Sequence, residues 1–220
     1  MEKKAETLIS ALEERIKLLS QLGLDSIPTP ASSDEISYSS LRKRILGCQK
    51  CALSRERTQA VPGEGSLEAE LMFVGEAPGR DEDIQGRPFV GRAGQLLTKI
   101  IQAMNFQREE VYITNVLKCR PPNNRTPQKA EVEQCQEYLI TQIKMISPRV
   151  IVTLGRVATD FFIKSQASMT SLRGEFHDFG SIRIMPTFHP SYLIRDETDR
   201  TRKRMVWEDM KKVMAFLGRQ

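Results

Sequence analysis

The sequence predicts an α/β domain with a largely parallel central sheet, preceded by a helical arm. Short apolar runs of strand length alternate with longer stretches whose apolar residues recur at helical spacing. A length of 220 residues allows one generous α/β domain plus an appendage. Hydrophobic residues make up 40% and charged ones 28%, ordinary globular usage that excludes a disordered or fibrous chain. Purely apolar runs, such as residues 71–74 and 150–152, fall far short of the roughly 20 residues that span a bilayer. The first fifteen residues mix acids and bases without an apolar h-region, so secretion is not expected and a cytoplasmic location is.

The elements follow in order. Leu8, Ile9, Leu12, Ile16 and Leu19 share one helical stripe with charges opposite, so residues 1–25 are read as an amphipathic arm. It either packs on the main domain or serves a protein partner; the sequence does not choose. Residues 26–40 carry six serines and two prolines, a linker composition, and residues 41–220 are taken as the domain. Residues 71–74 read as a buried strand ending at Gly75. Leu96, Leu97, Ile100, Ile101 and Met104 form a helix stripe, and residues 111–114 a second strand, which makes a βαβ unit. A helix over 128–146, a strand over 150–154 stopped by Gly155, and a helix over 156–163 repeat the theme. Short β-rich runs at 176–179 and 182–185 flank Gly180 and Ser181, and residues 198–217 form a charged amphipathic helix.

Open α/β sheets bind ligands beyond the carboxyl ends of their strands. The loops that matter therefore follow Gly75, Asn115, Gly155 and Thr187. Lys and Arg number 33 against 28 for Asp and Glu, a net +5 compatible with nucleic acid. Lys118, Arg120, Arg125 and Lys129 occur with no acid among them, whereas Glu76, Asp81, Glu82 and Asp83 crowd another loop. That acidic loop, GEAPGRDED, lacks the Gly-Lys-Ser/Thr ending of a triphosphate site. Its Glu76 suits a neutral heterocycle with N–H donors, or the segment is simply a tight turn. Phe89, framed by glycines in GRPFVGRAG, offers a face to a planar base or anchors the core. The helix start near Arg92 favours an anion. His189 is one of two histidines and leads into Ser191, Tyr192, Leu193, Ile194 and Arg195, an apolar tip shaped to wedge into a duplex. Basic residues at this rim, Lys118, Arg120, Arg125 and Arg195, are expected on phosphates. Cys48 and Cys51 form a C-x2-C pair, with Cys119 and Cys135 far along the chain. Four is the ligand count of a closed metal site; an iron–sulfur cluster, zinc, or four unrelated buried cysteines all fit this spacing.

GEAPGRDED, GRPFVGRAGQLL, ITNVLKCRPPNNRTP, HPSYLIR and the four cysteines in this order resemble the family 4 uracil-DNA glycosylases, iron–sulfur members of the uracil-DNA glycosylase superfamily. The resemblance runs from about residue 42 to 215. It implies a three-layer αβα sandwich around a four-stranded, largely parallel sheet, and a [4Fe–4S] cluster on Cys48, Cys51, Cys119 and Cys135. It also implies excision of uracil from DNA, leaving an abasic site; a monomer is expected. By the same resemblance Phe89 stacks on the flipped uracil, Asn115 reads its amide-like edge, and His189 donates to O2. Glu76 and the backbone around Ala77 line the pocket, with Glu76 the remaining carboxylate able to position water. Family 1 enzymes carry an aspartate where this chain has Ala77. The motifs are read as offering no lysine for a Schiff base, so strand cleavage is not expected. The rival reading is an iron–sulfur or zinc module that binds nucleic acid without catalysis.

Overall fold

The computed structural model describes residues 37–196 and 198–219. The arm read over residues 1–25 and most of the linker lie outside them. The first described helix, α1 (Tyr38–Leu46), begins inside the stretch read as linker, where Ser37 Oγ accepts from the Ser40 amide and caps it. A short α2 (Leu53–Glu56) follows.

Six strands form one mixed sheet: β1 (Glu64–Gly65), β2 (Leu71–Gly75), β3 (Tyr112–Asn115), β4 (Val150–Leu154), β5 (His177–Phe179) and β6 (Ile182–Thr187). Their order is β1-β3-β2-β4-β6-β5. Strands β3, β2, β4 and β6 run parallel, while β1 and β5 pair antiparallel at the two edges. The expected four-stranded sheet is thereby corrected to six strands. β1 is two residues long and too short to leave a periodic signal, and β5 returns on β6 as a hairpin.

Each central strand is buried on both faces, which is why these runs read as continuous hydrophobics. The strand period of two sends Leu71, Phe73, Val150, Val152 and Leu154 to one face. There they meet Leu97 and Ile101 of α4 (Arg92–Ala103) and Val206, Met210 and Val213 of α9 (Arg200–Leu217). Met72, Val74 and Ile151 go to the other face, against Leu139 and Ile143 of α5 (Lys129–Ile146) and Phe161 and Phe162 of α6 (Arg156–Phe162). Helices thus cover both faces of the sheet.

Helix ends are settled locally. The Glu131 carboxylate accepts from the Gln128 amide at 2.8 Å and starts α5. Asp199 Oδ1 accepts from the Thr201 and Arg202 amides and starts α9, which Gly218 closes at φ +73°. Two short helices at the strand ends, α3 (Arg80–Gln85) and α8 (Pro190–Leu193), were read as loops; α7 (Met169–Leu172) completes the set. No helix among the described residues is long and apolar enough to cross a membrane.

Candidate active site

A cleft of about 850 Å³ opens at the carboxyl ends of the parallel strands, and Glu76, Ala77, Phe89, Asn115 and His189 all line it. These residues come from the ends of β2, β3 and β6 and from the segment before α4. Gly155, at the end of β4, completes the wall.

Two glycines shape its floor. A Cβ at Gly75 would overlap Asn115 Oδ1 and stand 2.5 Å from Phe89 Cζ, so only glycine lets the ring and the amide close on the strand end. Phe89 has φ +51°, unusual for an aromatic residue. The bend is held from behind. Arg108 donates to the Pro88 carbonyl at 2.5 Å, to Glu64 Oε1 at 2.8 Å and to Thr98 Oγ1 at 3.1 Å. A Cβ at Gly94 would overlap the Phe89 carbonyl, so α4 packs directly under the bend. Asn115 Oδ1 is buried without a hydrogen-bond partner, an acceptor aimed at something the protein does not supply.

His189 caps α8: its Nδ1 accepts from the Ser191 amide at 3.1 Å and lies 2.7 Å from Ser191 Oγ. A backbone N–H can only donate, so Nδ1 is unprotonated and Nε2 carries the ring's hydrogen. Burial lowers the pKa of His189 to about 4, slightly opposed by Glu82, so the ring is neutral near pH 7. Its ring centroid lies 5.7 Å from that of Phe89, with the two planes tilted by 33°. The cleft therefore places an aromatic face, an unpaired amide oxygen and a neutral N–H donor together.

The acids divide their roles. Glu76 is half-buried and burial raises its pKa. Glu82 instead accepts from the amides of Gly79, Val90 and Gly91. This carboxylate already occupies the start of α4, where an anion was expected, because a side chain eight and nine residues before Val90 and Gly91 folds over to satisfy those donors. Asp83 is buried and accepts from the Thr58 amide.

The bases expected on phosphates separate. Lys118 is only 1% exposed, and its ammonium donates to Thr114 Oγ1 at 2.6 Å, the Asn115 carbonyl at 2.7 Å and Gln142 Oε1 at 2.7 Å. It cannot touch a phosphate, and that expectation is corrected: its stem turns inward to brace the end of β3. Lys118 does stand within one motif, but from this position it also cannot reach a sugar. Arg125 and Arg195 line the cleft mouth. Arg125 forks onto Glu131 at 2.6 and 2.9 Å, and Arg120 donates to Asn124 at 2.7 Å. In the expected wedge Leu193 is 2% exposed and belongs to the core, leaving Ser191, Tyr192 and Arg195 on the cleft.

The four cysteines are free thiols in one apolar cluster with Leu41, Ile45, Leu53, Leu117 and Tyr138. Arg57 donates to Cys119 Sγ at 2.8 Å and to the Cys48 carbonyl at 2.8 Å, and the Lys118 amide lies 3.4 Å from Cys135 Sγ. Burial raises the pKa of Cys119, and pushes that of Cys135 up to about 12. Among the described residues no three His, Cys, Asp or Glu side chains are gathered as the ligands of a single metal ion.

Sequence reasoning missed Arg57, Glu64, Arg108 and the Phe188–Tyr192 ring pair, with centroids 5.3 Å apart. Each works through a partner distant in sequence or on a short helix, so periodicity carries no trace of it.

Residues 62–211 match the model of the uracil DNA glycosylase superfamily. The chain is 47% identical over 180 residues to a type-4 uracil-DNA glycosylase of Thermotoga maritima, covering 81% of this chain and 93% of that protein. It is 44% identical over 186 residues to the type-4 enzyme of Sulfurisphaera tokodaii, covering 80% and 83%. For Archaeoglobus fulgidus the figures are 42% over 193 residues, covering 84% and 95%. With the motif residues gathered in one cleft and similarity running the length of the domain, the chain belongs to the uracil-DNA glycosylase superfamily and, within it, to the type-4 family.

Proposed function

We propose that this protein removes uracil from DNA by hydrolysing its N-glycosidic bond, leaving an abasic site without cutting the strand. The observation that carries this reading is the neutral His189 N–H beside the unpaired Asn115 oxygen and the Phe89 face. Uracil offers a planar ring, carbonyls at O2 and O4, and an N3–H between them. Asn115 Oδ1 accepts that N3–H while its amide donates to O4. Cytosine has an amino group at C4 and no hydrogen at N3, so it would leave both groups unpaired.

Extrusion of the base costs about a few kcal/mol, least for a mispaired one. The bond from C1′ to N1 then breaks with its electron pair moving onto the uracil ring, while positive charge grows on the sugar. The His189 Nε2–H donates to O2 as negative charge collects there, and needs no reorganisation because the Ser191 amide already fixes the tautomer. Water adds to C1′ and its surplus proton passes through solvent to the uracil anion, leaving neutral uracil and the abasic sugar. Glu76, Asp81 and Glu82 all line the cleft; Glu82 is taken up by backbone amides, and Glu76, beside Ala77 at the end of β2, is the carboxylate we assign to that water. Arg125 and Arg195, which line the cleft, would meet phosphates at its mouth, together with Arg120 beside the cleft-lining Asn124. Tyr192 and Arg195 are placed to fill the vacated stack.

Cys48, Cys51, Cys119 and Cys135 fit a [4Fe–4S] cluster. Four thiols share one apolar nest with N–H donors directed at two sulfurs, the surroundings that a thiolate-ligated cluster uses. When bound, the cluster supplies a structural cross-link between the C-x2-C turn and the segment after Asn115. Reduced thiols and a genomic substrate suit the cytoplasm, and the cleft is complete within one chain, as a monomer needs.

Purified protein should release free uracil from uracil-containing DNA, leaving an alkali-labile but uncut strand, and should contain iron without zinc. Tight binding to the same DNA with no uracil released would favour the binding-module reading instead.

A further inference from the structure

We propose that the amino-terminal end of α9 is a phosphate-binding surface for DNA beside the flipped nucleotide, with Arg200, Lys203 and Arg204 extending the contact made by Arg195. This deepens the uracil-excision reading above and rests on it. Helix α9 begins at the cleft: the Arg202 guanidinium lies 4.2 Å over the ring of Tyr192, a cleft-lining residue. It ends at the opposite end of the strands, where Arg149, just before β4, lies 5.7 Å over the Phe216 ring. Side chains on an α-helix lean toward its amino end. Arg200, Lys203 and Arg204, all exposed, therefore lean toward the side on which DNA must lie to enter the cleft.

For the protein alone this placement is unfavourable. The amino end of a helix carries the positive end of its dipole, yet the first turn of α9 contains no acid. Arg200 and Arg204 stand four apart, a spacing at which like charges repel. The nearest described acids are engaged. Asp199 caps the helix and pairs with Arg202 at 3.0 Å, and Asp196 accepts from the Thr198 amide and hydroxyl. Farther along the same helix Lys211 is matched to Glu208 and Lys212 to Glu175. A polyanion across the cleft mouth would relieve the repulsion at the amino end.

The test compares wild type with Arg200→Gln/Arg204→Gln, using Lys99→Gln/Lys211→Gln as a control with the same charge loss elsewhere. Affinity for a uracil-containing duplex and for the same duplex without uracil is measured against salt. Each lost phosphate contact lowers the slope of log K on log salt by about 0.9, so the double variant should lose about 1.8. Its deficit against wild type should narrow ~12-fold between about 50 and 200 mM salt. Arg200→Lys/Arg204→Lys should keep the slope, and the glutamine variant should melt at or above the wild-type temperature. An unchanged slope, an equal loss in the control, a loss in the lysine variant, or a marked drop in melting temperature would each overturn the assignment. Failure of wild type to release uracil in a parallel single-turnover assay would instead sink the excision reading, independently of the slopes.

Discussion

Replacing His189 with asparagine isolates what the imidazole does. Asparagine can still accept from the Ser191 amide and cap α8, but it withdraws the Nε2–H from the cleft. Removing one such preorganised donor costs about 10²–10³ in rate, or roughly 3–4 kcal/mol of transition-state stabilisation. Single-turnover excision with saturating enzyme reads that loss without interference from DNA affinity, and Glu76→Gln run alongside shows whether the carboxylate matters less, as leaving-group stabilisation requires. The pH profile gives a second reading. With the folded pKa near 4 against an ordinary 6.5, the wild-type rate should show no His189 inflection between about pH 5 and 8. Stability follows with a definite sign. Between those two values the unfolded chain binds a proton that the folded chain refuses, so the stability conferred by a neutral His189 is fully present above 6.5 and lost as pH falls toward 4. The loss is at most about 3 kcal/mol, moderated where the ring faces water in the cleft, and His189→Asn should lack it in denaturant titrations. A rate inflection near pH 6.5, or an asparagine variant within about threefold of wild type, would refute the neutral-donor account.

Gly75→Ala should push Asn115 and Phe89 apart, lowering uracil excision by more than about 100-fold while costing about 1–3 kcal/mol of stability, as overpacking does; wild-type activity from this variant would mean that the floor yields freely. Lys118→Met should destabilise the fold by about 1–3 kcal/mol in denaturant unfolding, because Gln142, Thr114 and the Asn115 carbonyl lose a donor. The same variant should leave the salt slope of DNA binding unchanged, and a slope reduced by about 0.9 would restore Lys118 to the phosphates.

Sequence by itself determined the parallel core of the fold. Residues 71–74, 111–114 and 150–154 are apolar runs too short for helices, and the stripes between them have helical period, so the βαβ order and the rim where loops meet follow from local pattern. Glu76, Phe89, Asn115 and His189 could be placed at that rim for the same reason, since each ends or follows a recognisable strand or sits in a glycine-framed turn, whereas their roles toward uracil came from the family resemblance. What stayed hidden depends on partners far apart along the chain. Lys118 reads as one more base in a basic loop, and only folding brings Gln142 and Thr114 around its ammonium. Leu193 reads as part of an exposed wedge, yet α8 rotates it into the core and leaves Tyr192 on the cleft. The state of His189 was likewise decided in three dimensions, because its neutrality comes from burial beneath loops drawn from several strands and its tautomer from a cap that forms only when Pro190–Leu193 coils into a helix. Periodicity records which face of an element is buried; burial and charge at a single atom are set by what the rest of the chain packs against it.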